Sequence, residues 1–270
     1  MRWPASFLIG LVLLISAGCR KEQSAAPPAT VNVFAAASLA ESFTRIGERF
    51  EAENPGAKVE FNFAGSQTLL AQLENGARAD VFASASPDEM NAAWREFLVN
   101  PATIHDFARN RLVVIFPKGN PAKIAALKDL GNHGVKIDVA DASVPVGHYT
   151  LQMLDQMSKD PAYGPKFKTD FLANVVSREE NVKAVVSKIR LGEADAGVVY
   201  VTDVTADAAK DVQSLSVPDR INPIASYPIA LVAKAPQPLL AQKFEDLVLS
   251  DRGQSILRDF NFIPASAGTR

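Results

Sequence analysis

Ser38, Ser66 and Asn181 are the residues whose type and placement could do chemistry in this 270-residue chain. Ser38 opens Ser38-Leu39-Ala40-Glu41, which fits an S-x-x-E capping box just behind an apolar strand. Ser66 follows Gly65 and leads into the helical run Gln67-Thr68-Leu69-Leu70. Asn181 precedes Val182, Val185, Val186 and Ile189, which share one helical face. All three are therefore expected at helix starts. A helix start offers N–H groups without intrahelical acceptors and the positive end of the helix dipole, so it suits an anion. The competing reading is that each side chain caps its helix and does nothing more. Nucleophilic chemistry is poorly served. No G-x-S-x-G occurs, and Ser66 sits in Ala64-Gly65-Ser66-Gln67-Thr68, without the pattern of a nucleophile elbow. Three histidines (His105, His133, His148) and one cysteine do not make a structural zinc site.

These helix starts need strands to hold them. Strands are expected at 31–36, 59–63, 80–83, 112–116, 135–139, 197–201 and 229–232. Helices are expected at 39–51, 67–73 and 88–97, and in most of the remaining gaps. Alternation of this kind argues for an α/β fold with mainly parallel sheets, buried on both faces. No internal repeat is found.

Composition bounds the classes that remain. An apolar share of 47% and a charged share of 21% describe a globular protein rather than a disordered or collagen-like one. Lys and Arg number 28 against 30 Asp and Glu, which argues against a nucleic-acid partner. Arg2 precedes a nine-residue apolar run at 7–15. A spanning helix needs about 20 apolar residues, so the run reads as the core of a signal peptide. It ends in Ser16-Ala17-Gly18-Cys19, which resembles a bacterial lipoprotein box with Ser16 in place of the usual leucine. Removal of 1–18 would leave Cys19 as a lipidated first residue, stably anchored if it carries two or more acyl chains. The Ala/Pro-rich stretch 19–30 reads as a tether, and everything beyond it as extracytoplasmic, in the periplasm or at the cell surface.

The segments FAAASLAESF, FAGSQTLLAQLENGARADVFASA, PVGHY, ENVKAV, AGVVYVTD and GQSILRDFNFIPA occur in that order. Together they resemble the extracytoplasmic molybdate-binding proteins of ABC importers, which are periplasmic binding proteins of type II. The resemblance implies two α/β lobes, each a mainly parallel sheet flanked by helices, with a ligand cleft between them. It places the first lobe at 31–111, the second at 112–226 and a return to the first at 227–270, with crossings near Arg111 and Ser226. It also implies an oxyanion held by the hydroxyls of Ser38, Ser66 and Tyr200 and by the main-chain amides of Val146 and Val182. Val146 stands where some members have alanine, and Gly65 where some have serine. The metal would then be bound as its oxyanion, molybdate or tungstate, with no direct metal ligand, no cofactor and no catalysis. The implied partner is the permease of an ABC importer, and the implied state is a monomer.

Fully ionised molybdate, tungstate or sulfate presents only acceptors, whereas phosphate near neutral pH keeps a proton and calls for an acceptor such as a carboxylate. None of the five residues is acidic, which disfavours phosphate. Sulfate, another tetrahedral dianion, remains the alternative ligand, and an extracytoplasmic serine hydrolase the alternative class. Five neighbours have plainer expected roles. His148 is expected to face solvent, Asp80 and Asp203 to cap or pair, and Arg78 and Lys183 to be solvated charges or to steer anions. Tyr200 also fits a core tyrosine whose hydroxyl has found a partner.

Overall fold

The computed structural model describes residues 29–265; the expected leader, Cys19 and the tether up to residue 28 lie outside the described residues. In chain order the first elements are β1 (Ala29–Ala36), α1 (Ala40–Glu53), β2 (Ala57–Ala64), α2 (Ser66–Glu74), β3 (Val81–Ala83), α3 (Pro87–Arg95) and β4 (His105–Asn110). Then follow β5 (Leu112–Pro117), β6 (Ile137–Ala140), α4 (Pro145–Lys159), α5 (Phe167–Ala173), β7 (Val175–Glu179), α6 (Val182–Leu191), β8 (Ala196–Tyr200) and β9 (Val212–Ser216). The chain closes with β10 (Ala225–Leu231), α7 (Pro238–Leu249), α8 (Asp251–Asp259) and β11 (Ile263–Pro264). β1 takes in Ala29 and Thr30, so the fold begins two residues inside the stretch expected as a tether.

Two sheets organise these elements. The first runs β11-β4-β10-β3-β1-β2 and the second β7-β6-β8-β5-β9. β1 pairs in parallel with β2 and β3, and β6 in parallel with β7 and β8. The remaining pairings, of β10 with β3 and β4, β11 with β4, and β5 with β8 and β9, are antiparallel. The sheets are thus mixed rather than mainly parallel. The cause lies in the connections. Parallel pairs arise where a helix carries the chain back over its own sheet, as α1 does between β1 and β2. β5 and β10 instead arrive from the opposite sheet, with only Arg111 between β4 and β5, and each runs against its neighbours. Among the described residues no helix is long and apolar enough to cross a membrane.

The C-terminal segment is fastened to the first sheet by aromatic packing. α1 buries Phe43, Ile46 and Phe50, and Phe244 of α7 meets Phe43 and Phe50 at ring-centroid distances of 5.9 and 5.6 Å. The edge-to-face geometry is the one ring quadrupoles favour. β10 sits between β3 and β4, and it brings Tyr227 into the first sheet.

Candidate functional site

Ser38, Ser66, Val146, Val182 and Tyr200 all line one pocket, reached from both sheets. Small residues make up much of its wall: Ala36, Ala37, Ala64, Gly65 and Ala85. No lining residue carries a charge, and none is a histidine.

Ser38 lies in a 3₁₀ turn, Ala37–Leu39, inserted between β1 and α1. That turn moves the start of α1, whose N-cap position falls on Leu39, so the capping box does not form. The buried Ser38 hydroxyl instead meets the Tyr227 hydroxyl at 3.0 Å, and Glu41 turns to Lys183. Ser66 is the first residue of α2, with Gly65 at the N-cap. Its Oγ accepts from Ala85 N–H at 3.0 Å, which leaves its own proton for the pocket. Capping therefore explains neither serine. It does explain Asn181, whose Oδ1 accepts from Ala184 N–H at 3.0 Å.

Val182 and Val146 contribute backbone. Val182 opens α6, and Val146 follows Pro145 at the start of α4, so neither N–H has an acceptor one turn earlier. Pro at the first position of α4 costs no hydrogen bond and presets the helical φ. Gly147 lets this helix end lie against the β6 exit, because a Cβ there would stand 2.0 Å from Asp141 O. Three helix N-termini of at least nine residues, α2, α4 and α6, thus converge on one pocket, with the Ser38 turn beside them. Their dipoles favour negative charge there.

Tyr200 ends β8 and is fully buried. Its hydroxyl has no hydrogen-bond partner among the described residues. Burial, with Tyr227 adding to it, holds the pKa well above the ordinary tyrosine value, so the group is a neutral donor. A buried hydroxyl without a partner is uncommon in a native fold and calls for an explanation.

The neighbours fall into place. His148 is exposed and pairs with Gln152 at 2.7 Å. Asp80 is structural: it accepts from the Asn32 and Gln237 N–H groups at 2.8 and 2.6 Å. Arg78 is exposed and belongs to a different hollow. Lys183 departs from expectation, since it is neither freely solvated nor aimed at the pocket but ion-paired to Glu41 and Asp203. Tyr227 and Asn110 are the residues that sequence reasoning does not find. Asn110 Nδ2 donates to Tyr227 Oη at 3.2 Å and to Thr202 Oγ1 at 2.8 Å, which ties β4, β10 and the turn after β8 together behind Ser38 and Tyr200.

An α/β fold of two sheets with a pocket of neutral donors between them is suited to holding a small anion. The family described as bacterial extracellular solute-binding protein matches residues 31–263, and the chain belongs to it. It is 38% identical to the molybdate-binding protein ModA of Mycobacterium tuberculosis (strain ATCC 25618 / H37Rv), over 97% of this chain and 99% of that one. The substrate binding domain of a putative molybdenum ABC transporter from Clostridium difficile superposes with a TM-score of 0.64 at 28% identity, covering 88% of this chain and all of that one (100%). The sulfate-binding protein SubI from Mycobacterium tuberculosis H37Rv superposes with a TM-score of 0.79 at 16% identity, covering 88% of each chain. That last likeness speaks to the fold alone.

Proposed function

We propose that this protein captures molybdate, and tungstate on the same contacts, and delivers it to the permease of an ABC importer. The observation that carries this reading is a pocket furnished with donors and lacking any charged side chain. A fully ionised tetrahedral oxyanion has only acceptors to offer, so hydroxyls and helix-start amides satisfy it without a counter-charge. In this reading Ser38, Ser66 and Tyr200 donate O–H, and Val146 and Val182 donate N–H. The partnerless Tyr200 hydroxyl supports it, as does the 38% identity to a protein named for molybdate binding.

Residues 31–111 and 227–270 would form one lobe and 112–226 the other, closing on the anion between them. Cys19, freed by removal of 1–18, would carry the lipid that holds the monomeric protein at the membrane by the 19–30 tether. Fractionation of the native host should find wild type with membranes and Cys19→Ala released; a wild type found wholly soluble and unlipidated refutes the anchor.

Titration calorimetry with molybdate, tungstate, sulfate and phosphate tests the ligand. Molybdate and tungstate should bind tightly and phosphate hardly at all. Preferred binding of phosphate overturns the donor-only argument, and preferred binding of sulfate overturns the choice of molybdate.

A further inference from the structure

Glu41, Lys183 and Asp203 form one chain of charges that crosses from the first lobe to the second. Glu41 lies in the first turn of α1, three residues past Ser38, and Lys183 is the second residue of α6, next to Val182. Both carboxylate oxygens of Glu41 accept from Lys183 Nζ at 2.8 Å. The same Nζ lies 3.2 Å from Asp203 Oδ1. Asp203 Oδ2 in turn accepts from Tyr200 N–H at 3.1 Å. The chain therefore touches three of the segments that line the pocket without lining it itself.

Its two arms differ in kind. The Asp203 side chain is 0% exposed, and a buried carboxylate stripped of its cation is strongly unfavourable, so Lys183 stays with Asp203. Both groups belong to the second lobe, and their contact does not depend on the first. Glu41 is 41% exposed and sits on the first lobe, so its contact with Lys183 exists only while the lobes are together. Beside it, Gln67 Nε2 donates to Glu180 O at 2.9 Å. A Cβ on Gly65 would come within 2.5 Å of the same carbonyl, so the lobes meet at backbone distance there. A pocket of neutral donors brings no cation of its own across the cleft. Beside the pocket, Lys183 supplies that crossing charge by pairing with Glu41.

We propose that Glu41 and Lys183 form a clasp between the lobes, made when the cleft closes on its oxyanion, which sets how slowly the ligand leaves, while Asp203 keeps Lys183 in place to receive Glu41. The proposal rests on the oxyanion reading of the pocket. Opening breaks only the half-exposed arm, and both released groups are served, Glu41 by water and Lys183 by Asp203. The clasp is therefore reversible, and it acts on release rather than on capture.

Glu41→Gln removes the charge, keeps the size and touches nothing in the pocket. In stopped-flow measurements with molybdate its release rate should rise about threefold to tenfold, with the capture rate within about twofold of wild type. Raising NaCl from about 50 mM to about 1 M should speed release from wild type and leave Glu41→Gln nearly unaffected. In a Lys183→Met background, Glu41→Gln should add nothing. A wild-type release rate in Glu41→Gln overturns the clasp, even if Lys183→Met fails to fold. If wild type binds no molybdate, the molybdate reading falls and the same release measurement is made with whichever of tungstate, sulfate or phosphate calorimetry finds bound. Glu41→Gln must then release that anion faster than wild type, and equal rates overturn the clasp.

Discussion

Ser38 and Tyr227, 189 residues apart in sequence, meet hydroxyl to hydroxyl at 3.0 Å beneath the pocket. Asn110 Nδ2 donates to Tyr227 Oη at 3.2 Å, and with the tyrosine proton placed on Ser38 Oγ the serine proton is left for the cleft. Tyr227 thereby orients a donor that it does not itself supply. Ser38→Ala should weaken molybdate binding about 10- to 100-fold, the loss of one hydrogen bond to a charged ligand. Tyr227→Phe should cost about threefold to tenfold, because Ser38 keeps its hydroxyl but loses its orientation. Calorimetry on the double variant should match Ser38→Ala alone. Additive losses would show that Tyr227 acts by another route.

Ser66 serves two masters, so its removal should register twice. Its Oγ accepts from the buried Ala85 N–H while its proton faces the pocket. Ser66→Ala should weaken molybdate binding about 10- to 100-fold, and the unpaired Ala85 N–H should also cost about 1–3 kcal/mol of stability. Calorimetry and a thermal melt without ligand separate the two effects. A lower melting temperature with full affinity would leave Ser66 as a structural acceptor only.

What the sequence discloses about this fold depends on how completely a segment is buried. β1, β5 and β8 are apolar along nearly their whole length because sheet and helices cover both their faces, and such runs read as strands. β4, in His-Asp-Phe-Ala-Arg-Asn, carries four polar residues in six, and β9 is an edge strand with exposed Gln213 and Ser214; neither has a periodicity to find. The same logic divides the site. Ser38, Ser66, Val146, Val182 and Tyr200 lie in local motifs, each next to a strand end or helix start, and all five reach the pocket. Tyr227 reaches Ser38 only because β10 returns to the first sheet, a long-range event with no local signature. Lys183 finds Glu41 across 142 residues, so its sequence neighbourhood suggests only a solvated lysine. The capping box at Ser38 misleads for a smaller reason: a three-residue 3₁₀ turn displaces the helix start.

Asp138 makes stability depend on pH away from the pocket. It is fully buried on β6, and among the described residues neither carboxylate oxygen has a hydrogen-bond partner. Burial first, and then the charge of Glu179, push its pKa up to about 7, against the opposing pull of Lys188. A pKa raised in the folded state means that the fold binds this proton more tightly than the unfolded chain does. The stability it contributes is complete below the ordinary value of 3.8 and is lost as pH rises through about 7. Asp138→Asn stays neutral throughout. Its melting temperature should exceed that of wild type at pH 8 by about 3–6 °C, with the gap closing toward pH 5. Parallel melting curves across that range would mean that Asp138 is already ionised at pH 5.

The Val182 amide can be tested without touching a side chain that bonds. Val182 is the first residue of α6, so its N–H has no acceptor within the helix. Asn181 before it has φ −160 and ψ 166, extended backbone of the kind that a following proline requires. Val182→Pro therefore deletes one N–H while keeping the helix, since proline is well accepted at the first helical position. The Asn181 cap, which serves Ala184 N–H, is untouched. Molybdate binding should fall by about 1.5–3 kcal/mol, the worth of one charge-assisted hydrogen bond. Val182→Ala retains the N–H and should bind almost as wild type does. The valine side chain is buried, so both variants need a melt without ligand to expose any packing defect they share. If the proline variant melts like the alanine variant and binds molybdate equally well, the Val182 amide donates nothing to the anion.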